Sequence, residues 1–421
     1  MQLTTLPSGL KIVTKTLTGT EAVTVLVLAG AGSRYETQER NGLSHFLEHM
    51  FFKGGKKYKS TKEVSQSIDS IGGEFNAFTG KEYAGYFVKV RAQHADTAYD
   101  VLSDMLISAA FPAEEIERER GVILEEYNMY QDTPMYQVGW DFERLLFGNQ
   151  PMGWDQLGPP ENIRKFSQED FVRYKSELYQ PNNIVITVTG KCEHSIVVAA
   201  IEKFFQFDNG KKAFNWQPLA EMKIEKTVKI QNKKTEQGHL VLGARGIPAE
   251  DERHWVQNLL AVILGGNMSS RMFLNVREKK GLCYYIRTAT DDYTDAGVIS
   301  TNAGVDLKRL PLAVSAIRQE YENLAQEGVS AEELKRAQEF LKGKLTLRLE
   351  DSEEYAHFIG KQHLLYRQQH TLDEIFTEIN SVTPEAIQDL AREIFVPKNL
   401  RLACIGPFGG REKELAELLI K

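Results

Sequence analysis

The sequence predicts an α+β protein made of two structurally duplicated halves, each a mostly antiparallel sheet with helices packed on one side. Its 421 residues exceed what one ordinary hydrophobic core organises, since a domain holds about 100–200 residues. Strand and helix patterns recur in a similar order in the first and second halves, which indicates a weak internal duplication of roughly 200 residues. Between the halves lies a stretch without hydrophobic periodicity.

The first half opens with strands. Residues 3–16 alternate around Pro7-Ser8-Gly9, which predicts a hairpin, and residues 22–30 form a β-branched apolar run typical of a central strand. Ser60 and Glu63 offer a capping box for a helix that ends near residue 70. The later elements are predicted as two strands over 74–90 around Gly80, helices over 94–108 and 112–129, a strand over 182–190 and a helix over 195–205.

The domain boundary is predicted at residues 207–226, which lose periodicity and carry Gly, Asn and Pro. This stretch would link a first domain of residues 1–206 to a second of residues 227–421. The second half is predicted to contain strand structure over 227–245, helices over 253–264 and 269–279, strands over 282–304, helices over 307–326 and 331–348, a strand over 399–406 and a helix over 411–420.

Composition restricts the class of protein. With 42% hydrophobic and 26% charged residues, the chain is of the globular kind. A net charge of −7 with interspersed signs provides no basic stripe, so we expect neither nucleic acid nor a membrane surface as a partner.

Cysteine usage and the N-terminus bear on location. Cys192, Cys283 and Cys404 are widely spaced and odd in number, which is typical of reduced thiols in an intracellular protein. The first 15 residues lack the apolar core of a signal peptide and the Arg-rich character of a transit peptide. The expected location is therefore the cytoplasm.

A short motif, H-x-x-E-H, carries the chemistry of the first half. His45, Glu48 and His49 stand at positions i, i+3 and i+4, so on a helix all three side chains share one face. Imidazole and carboxylate are ligands of catalytic Zn²⁺, and this motif is the signature of the inverted zincins. The alternative is an amphipathic helix with a solvated or hydrogen-bonded polar face, and the motif alone does not separate the two.

Further acids stand on the predicted helix over 112–129. Glu119 and Glu126 are seven residues apart and so share a face, whereas Glu125 lies well round from both. Many acids on one helix usually form a solvated surface, so spacing leaves open which of them reaches His45 and His49.

The sequence resembles the pitrilysin-type metallopeptidases, and among them mitochondrial processing peptidase and its bacterial relatives. Four blocks carry the resemblance in the same order, and together they span most of the chain: HFLEHMFFKG at 45–54, GGEFNAFTGKE at 72–82, ERGVILEE at 119–126 and REKKGLCYY at 277–285. In that family a glutamate follows the second histidine with 76 residues between them, and this spacing selects Glu126.

The resemblance implies a role for each of these residues. His45, His49 and Glu126 would hold one Zn²⁺ per chain, and Glu48 would be the general base that takes a proton from the zinc-bound water. Glu119 would hold a ligand histidine through its second ring nitrogen, as such histidines generally require. These roles make the residue 1–206 half a zinc-binding catalytic domain.

In the second half, Arg277 and Tyr284 match a family pair that faces the zinc. A tyrosine hydroxyl can donate to the oxyanion of a tetrahedral intermediate, and Arg277 could hold a substrate carbonyl or orient Tyr284. The alternative for the pair is a strand aromatic beside an exposed arginine.

Residues 73–79 resemble the family's edge strand, which pairs with the substrate main chain. Phe75, Asn76 and Ala77 are the expected substrate contacts. Strand addition selects extended, unstructured peptide while tolerating many sequences.

The resulting expectation is a zinc metalloendopeptidase that hydrolyses unstructured peptides or presequence-like segments in a closed chamber. A two-domain chain is expected to form a homodimer, with a heterodimer with a related chain also possible. The alternative function is that of a non-catalytic structural or partner subunit of a processing-peptidase-like complex.

Overall fold

The computed structural model describes residues 1–208, 210–221 and 226–420. The chain divides into two compact units, each assembled from three separate segments. Unit 1 comprises Met1–Asn128, Trp154–Gln217 and Thr346–Gln369, and unit 2 comprises Met129–Gly153, Pro218–Leu345 and His370–Lys421.

Unit 1 contains a six-stranded sheet with the order β1-β2-β6-β3-β5-β4. Neighbouring strands are antiparallel except β2 and β6, which run parallel. The strands are β1 (Gln2–Thr5), β2 (Lys11–Thr16), β3 (Ala22–Ala29), β4 (Glu74–Thr79), β5 (Ala84–Arg91) and β6 (Ile184–Gly190).

Unit 2 contains a five-stranded sheet with the order β7-β11-β8-β10-β9. Only β7 and β11 run parallel, so this sheet repeats the order and directions of β2-β6-β3-β5-β4. The structural duplication and the α+β class predicted from the sequence are thereby confirmed. The strands are β7 (Val228–Asn232), β8 (Gly238–Gly246), β9 (Cys283–Asp292), β10 (Gly297–Val305) and β11 (Arg401–Gly406).

Helices fill the connections between these strands. Two further helical segments, Val262–Gly266 and Met272–Lys279, have the wider π-helical turn. In the part of the chain that the structure describes, no helix is both long and apolar enough to cross a membrane. The α-helices are α1 (Leu43–Phe51), α2 (Thr61–Asp69), α3 (Ala95–Ile107), α4 (Ala113–Gln131), α5 (Pro134–Phe147), α6 (Pro160–Ile163), α7 (Gln168–Leu178), α8 (His194–Phe204), α9 (His254–Ala261), α10 (Leu310–Glu327), α11 (Ala331–Arg348), α12 (Ser352–Leu365), α13 (Leu372–Ser381), α14 (Pro384–Ile394) and α15 (Glu412–Ile420).

The two faces of β3 pack against different parts of unit 1, because strand side chains alternate between faces. Val25 and Val27 belong to the main core, together with α1, α3, α7 and α8. Leu26 and Leu28 face the opposite way and pack against Ala356 of α12. The structure thus adds one helix on the second face of a sheet that was predicted to be covered on one side.

Polar contacts fix α12 on that face. Thr24 and Ser352 share a hydrogen bond between hydroxyls, 2.8 Å long. Asp351 caps the first turn of α12 and accepts a bond from Lys89 of β5, 2.6 Å long. A helix from the second half of the sequence is therefore part of unit 1.

Unit 2 shows the reciprocal arrangement. Val138, Phe142 and Leu146 of α5 pack against Val241 of β8 and Ile405 of β11. A helix from the first half of the sequence thus covers one face of the second sheet, and the two compact units do not coincide with the two halves of the sequence. Within the predicted linker 207–226, residues 209 and 222–225 lie outside the described residues.

Candidate metal centre

Helix α1 is amphipathic, and its two faces have separate tasks. Phe46, Leu47 and Met50 are fully buried in the core of unit 1. Spacings of three and four residues place His45, Glu48 and His49 on the other face, which is only half-buried. Core packing therefore directs these three side chains toward one place.

A buried carboxylate fixes the beginning of α1. Glu36 accepts hydrogen bonds from the backbone N–H groups of Gly42, at 2.9 Å, and Ser44, at 2.6 Å. It also accepts one from the side chain of Asn41. Gly42 has φ = 98°, and a Cβ there would lie 2.3 Å from the carbonyl oxygen of Leu157, so the first turn requires glycine.

A second carboxylate fixes the loop after α1. Asp104 of α3 accepts hydrogen bonds from the backbone N–H groups of Lys56, Lys57 and Tyr58, at 2.9–3.0 Å. The loop thus surrounds Asp104, which is only 8% exposed to solvent. Both ends of the helix that carries the motif are consequently tied to the rest of unit 1.

Helix α4 brings two acids to α1. Its buried face contains Ile116, Glu119 and Ile123, at spacings of three and four residues. Glu126 continues that row and is half-buried, whereas Glu125 is exposed. Helical periodicity alone thus places Glu119 and Glu126 toward α1 and turns Glu125 to solvent.

The ligand atoms of His45, His49 and Glu126 all lie within 4.8 Å of one another. The Nε2 atoms of His45 and His49 are 3.6 Å and 3.5 Å from the same Oε2 of Glu126. Tetrahedral zinc with bonds of about 2.0–2.2 Å separates its ligand atoms by about 3.3–3.6 Å. The three residues therefore fit one zinc ion.

Glu119 stands behind His49. Its Oε1 accepts a hydrogen bond from Nδ1 of His49, 2.9 Å long, which leaves Nε2 free to face Glu126. Its Oε2 forms an ion pair with Lys53, four residues after His49. Burial raises the pKa of Glu119, but the bonds from His49 and Lys53 outweigh it, so that this carboxyl stays ionised.

The two histidines differ in proton affinity. Burial, with a contribution from His49, lowers the pKa of His45 to about 3, which keeps the imidazole in the neutral form that binds metal. Burial also acts to lower the pKa of His49, but the bond to Glu119 and the charges of Glu48 and Glu126 raise it above its ordinary value. A proton and a metal ion would thus compete for His49.

Glu48 lies beside this triad without joining it. Its Oε2 accepts a hydrogen bond of 2.5 Å from the hydroxyl of Thr79, the last residue of β4. Burial raises the pKa of Glu48, against the opposing effect of that bond. Glu48 is therefore placed to exchange protons near the metal position.

The expected substrate contacts lie on β4, which pairs only with β5 and forms an edge of its sheet. Asn76 is exposed, and its side-chain oxygen accepts a bond from the N–H of Ala77. Phe75 is half-buried against Phe52, with ring centroids 5.9 Å apart.

Arg277 and Tyr284 lie together in unit 2. The Nε of Arg277 donates to the main-chain carbonyl of Tyr284 at 2.8 Å, while its guanidinium lies 4.4 Å from the Phe273 ring. Tyr284 is 76% exposed and is the second residue of the edge strand β9. Arg277 thus fixes the backbone beneath an outward-pointing phenol, and that this pair faces a metal stays a prediction.

Sequence reasoning missed several supporting residues, among them Lys53, Thr79, Glu36 and Asp104. The position of Lys53 four residues after His49 was a usable signal, because it places the ammonium on the same side of the helix end. No sequence signal pointed to Thr79 or Asp104, since each acts on a residue distant in the chain. Glu36 lies only six residues before Gly42, but no capping pattern marks a carboxylate at that distance.

Comparisons with known proteins identify the family of the chain. Residues 11–150 match the family described as insulinase, peptidase family M16, and residues 165–341 match the family's inactive domain. The chain is 37% identical over 405 residues to an uncharacterized zinc protease of Bacillus subtilis, covering 96% of this chain and 98% of that one. It is 35% identical over 421 residues to one of Streptomyces coelicolor, covering 99% and 91%.

Solved structures share the fold. A protease from Helicobacter pylori superposes with a TM-score of 0.87 at 22% identity, over 96% of this chain and 99% of that one. A peptidase M16 inactive domain from Pseudomonas fluorescens gives 0.89 at 17% identity, over 96% and 98%. From the sequence matches and the shared fold together, the chain belongs to the M16 (insulinase, or pitrilysin-type) peptidase family.

Proposed function

We propose that this protein is a zinc endopeptidase that hydrolyses unstructured peptides or presequence-like segments in a closed chamber. The observation that carries the proposal is the convergence of His45, His49 and Glu126 within 4.8 Å, with Glu48 alongside. A non-catalytic partner subunit would not need these four residues together, so their presence favours catalysis.

Each of the three proposed ligands contributes to metal binding in a different way. His45 offers a neutral imidazole, because burial suppresses its protonation. The orientation of His49 is fixed by Glu119. Glu126 provides the negative charge, and burial raises the pKa of that carboxyl when no cation is near. Bound zinc would supply Lewis-acid polarisation of the scissile carbonyl and of water.

Glu48 acts as general base in this proposal. It would take the proton of the attacking water and pass it to the leaving amine. A pKa raised by burial suits this task, because a stronger base accepts a proton more readily. The mechanism thus uses one acid as ligand and another as base.

Substrate would bind as an added strand along the free edge of β4. Main-chain hydrogen bonds at that edge select extended peptide, and Phe75, Asn76 and Ala77 are the proposed contacts. Tyr284, with Arg277 beneath it, would donate to the oxyanion.

The proposed assembly is a homodimer in which the metal centre of one subunit works with Arg277 and Tyr284 of the other. Longer members of the family that this sequence resembles have four such domains in one chain. Two copies of a two-domain chain also supply four domains, which supports the proposed dimer. The proposed location is the cytoplasm, consistent with Cys192, Cys283 and Cys404 being free thiols.

The first prediction concerns the roles of His49 and Glu48. The purified protein should contain about one zinc per chain, and His49→Ala should lose both metal and activity. Glu48→Gln should keep the metal and lose turnover, because it removes a base and no ligand. Metal analysis by mass spectrometry, with peptide turnover on the same samples, decides the matter. A Glu48→Gln protein that purifies without zinc contradicts the assignment.

The second prediction separates neighbouring acids of α4. Glu126→Gln should abolish zinc binding, and the exposed Glu125→Gln is the matched control, expected to bind zinc like the wild type. Glu119→Gln should weaken zinc affinity by about 10–100-fold. Zinc dissociation constants from chelator competition provide the measurement. Equal zinc content in the Glu125 and Glu126 variants shows that the wrong acid was chosen.

The third prediction tests the activity itself. Incubated with a library of unstructured peptides, the protein should cleave internal bonds, and a chelator should stop the cleavage until zinc is restored. Mass spectrometry of the products identifies the bonds cut. Glu48→Gln purified in parallel controls for contaminating proteases. Cleavage that is equal in this variant and the wild type refutes the proposed function.

The fourth prediction tests the shared site. Glu48→Gln and Arg277→Ala should each be nearly inactive alone, but a mixed dimer contains one intact site of two. With random exchange about half of the dimers are mixed, so activity should recover to roughly a quarter of the wild type. Subunit exchange is verified with differently tagged chains. If exchange occurs and the mixture stays inactive, the pair acts within its own chain.

A further inference from the structure

One hydrogen bond connects the proposed base with the proposed substrate strand. The hydroxyl of Thr79 donates to Oε2 of Glu48 at 2.5 Å. Glu48 lies on α1 and Thr79 ends β4, so the bond joins two elements that are separate in sequence.

The bond distinguishes the two oxygens of Glu48. Oε2 is engaged by Thr79, while Oε1 accepts no hydrogen bond from the residues that the structure describes. A carboxylate that is held by one oxygen keeps its plane fixed and presents the other oxygen in a constant direction. The rotamer of Glu48 thus depends on a donor outside its own helix.

The position of Thr79 is itself fixed by the sheet. Thr79 pairs with Ala84 of β5, and strand alternation places its side chain on the same face as those of Ala77 and Phe75. Phe75 on that face contacts Phe52 next to α1, so this is the face of β4 that meets the motif helix. The strand proposed to hold the peptide main chain therefore also sets the direction of the base.

We propose that Thr79 is a positioning residue that holds Oε2 of Glu48, so that Oε1 is the oxygen that carries the proton. This inference rests on the proposed peptidase function. Water oxygen bonds to the scissile carbonyl carbon, the C=O π pair moves to the carbonyl oxygen, and one water proton moves to Oε1 of Glu48. The C=O bond then re-forms as the C–N bond breaks, and the proton leaves Oε1 for the amine nitrogen, which restores the carboxylate.

A purely structural role for Thr79 makes different predictions. If the bond only tied α1 to β4, its loss would lower stability or zinc content and leave the turnover of the loaded enzyme unchanged. If Thr79 only contacted substrate, its loss would raise KM. A positioning role instead lowers kcat at constant KM and constant zinc content.

The test compares Thr79→Val, which keeps the shape and removes the donor, with Thr79→Ser, which keeps the donor. For zinc-loaded proteins cleaving one unstructured peptide, Thr79→Val should lower kcat by about 10–100-fold, as displacement of a catalytic group does. KM and zinc content should stay within about twofold of the wild type, the range that leaves binding energy essentially unchanged. Thr79→Ser should recover most of the lost kcat.

The matched control is Thr24→Val, which removes the hydroxyl of a buried threonine from the same sheet. Thr24 bonds to Ser352 on the opposite face, so its loss should change the thermal midpoint and not kcat. A second readout is a thermal double-mutant cycle: Thr79→Val should shift the midpoint less in a Glu48→Ala background than alone.

Several results overturn the proposal. Equal loss of kcat in the Val and Ser variants shows that the hydroxyl is not what matters, and unchanged kcat in the Val variant shows that Glu48 needs no such hold. Loss of zinc in the Val variant assigns Thr79 a structural role, and a raised KM alone assigns it a role in substrate contact. If the wild type cleaves no peptide, the peptidase function fails and this inference fails with it; a cleaving wild type with unaffected variants refutes the inference alone.

Discussion

The candidate metal triad of His45, His49 and Glu126 depends on the buried carboxylate of Glu36 at the start of α1. No side chain of the N-cap residue Gly42 can satisfy the first N–H groups of that helix, and Glu36 does so from six residues away. A carboxylate at a helix N-terminus also lies at the positive end of the helix dipole, which offsets part of the cost of its burial. If the register of the helix shifted by one residue, His45 and His49 would turn together by about 100° and would no longer face Glu126.

Around this fixed helix the charges are arranged for a cation. Glu48, Glu119 and Glu126 stand close together, and among the lysines and arginines that the structure describes only Lys53 pairs directly with one of them. Burial raises the pKa values of Glu48 and Glu126, because a half-buried carboxylate loses hydration, and the charge of His49 opposes this rise at both acids. A dication reverses that balance, favouring the ionised forms that the proposed chemistry uses. Metal and base are thus electrostatically linked even though Glu48 is no ligand.

Local periodicity explains how much could be read from the sequence. The spacing of His45, Glu48 and His49 and that of Glu119 and Glu126 predict which side chains share a helical face, and those side chains do lie together. The recurring order of strand patterns in the two halves of the sequence also predicted the two matching sheets. Thr79 escaped notice because its partner is 31 residues away, and a threonine ending a strand is ordinary. Amphipathic patterns say that α5 and α12 bury one face, but not which sheet receives it.

The placement of α12 affects when unit 1 can form during synthesis. The strands of unit 1 are complete at residue 190, and both histidines and all three acids of the candidate metal centre precede residue 130. Yet the outer face of the sheet, with Leu26 and Leu28, is covered only after residues 352–365 have been made. Until then a nascent chain carries an apolar sheet face open to solvent, which is a site for chaperone binding or aggregation. Contacts this distant in sequence also slow folding, because the loop must close before they form. A unit whose candidate metal residues all precede residue 130 therefore reaches its mature fold only after residue 365 has been made.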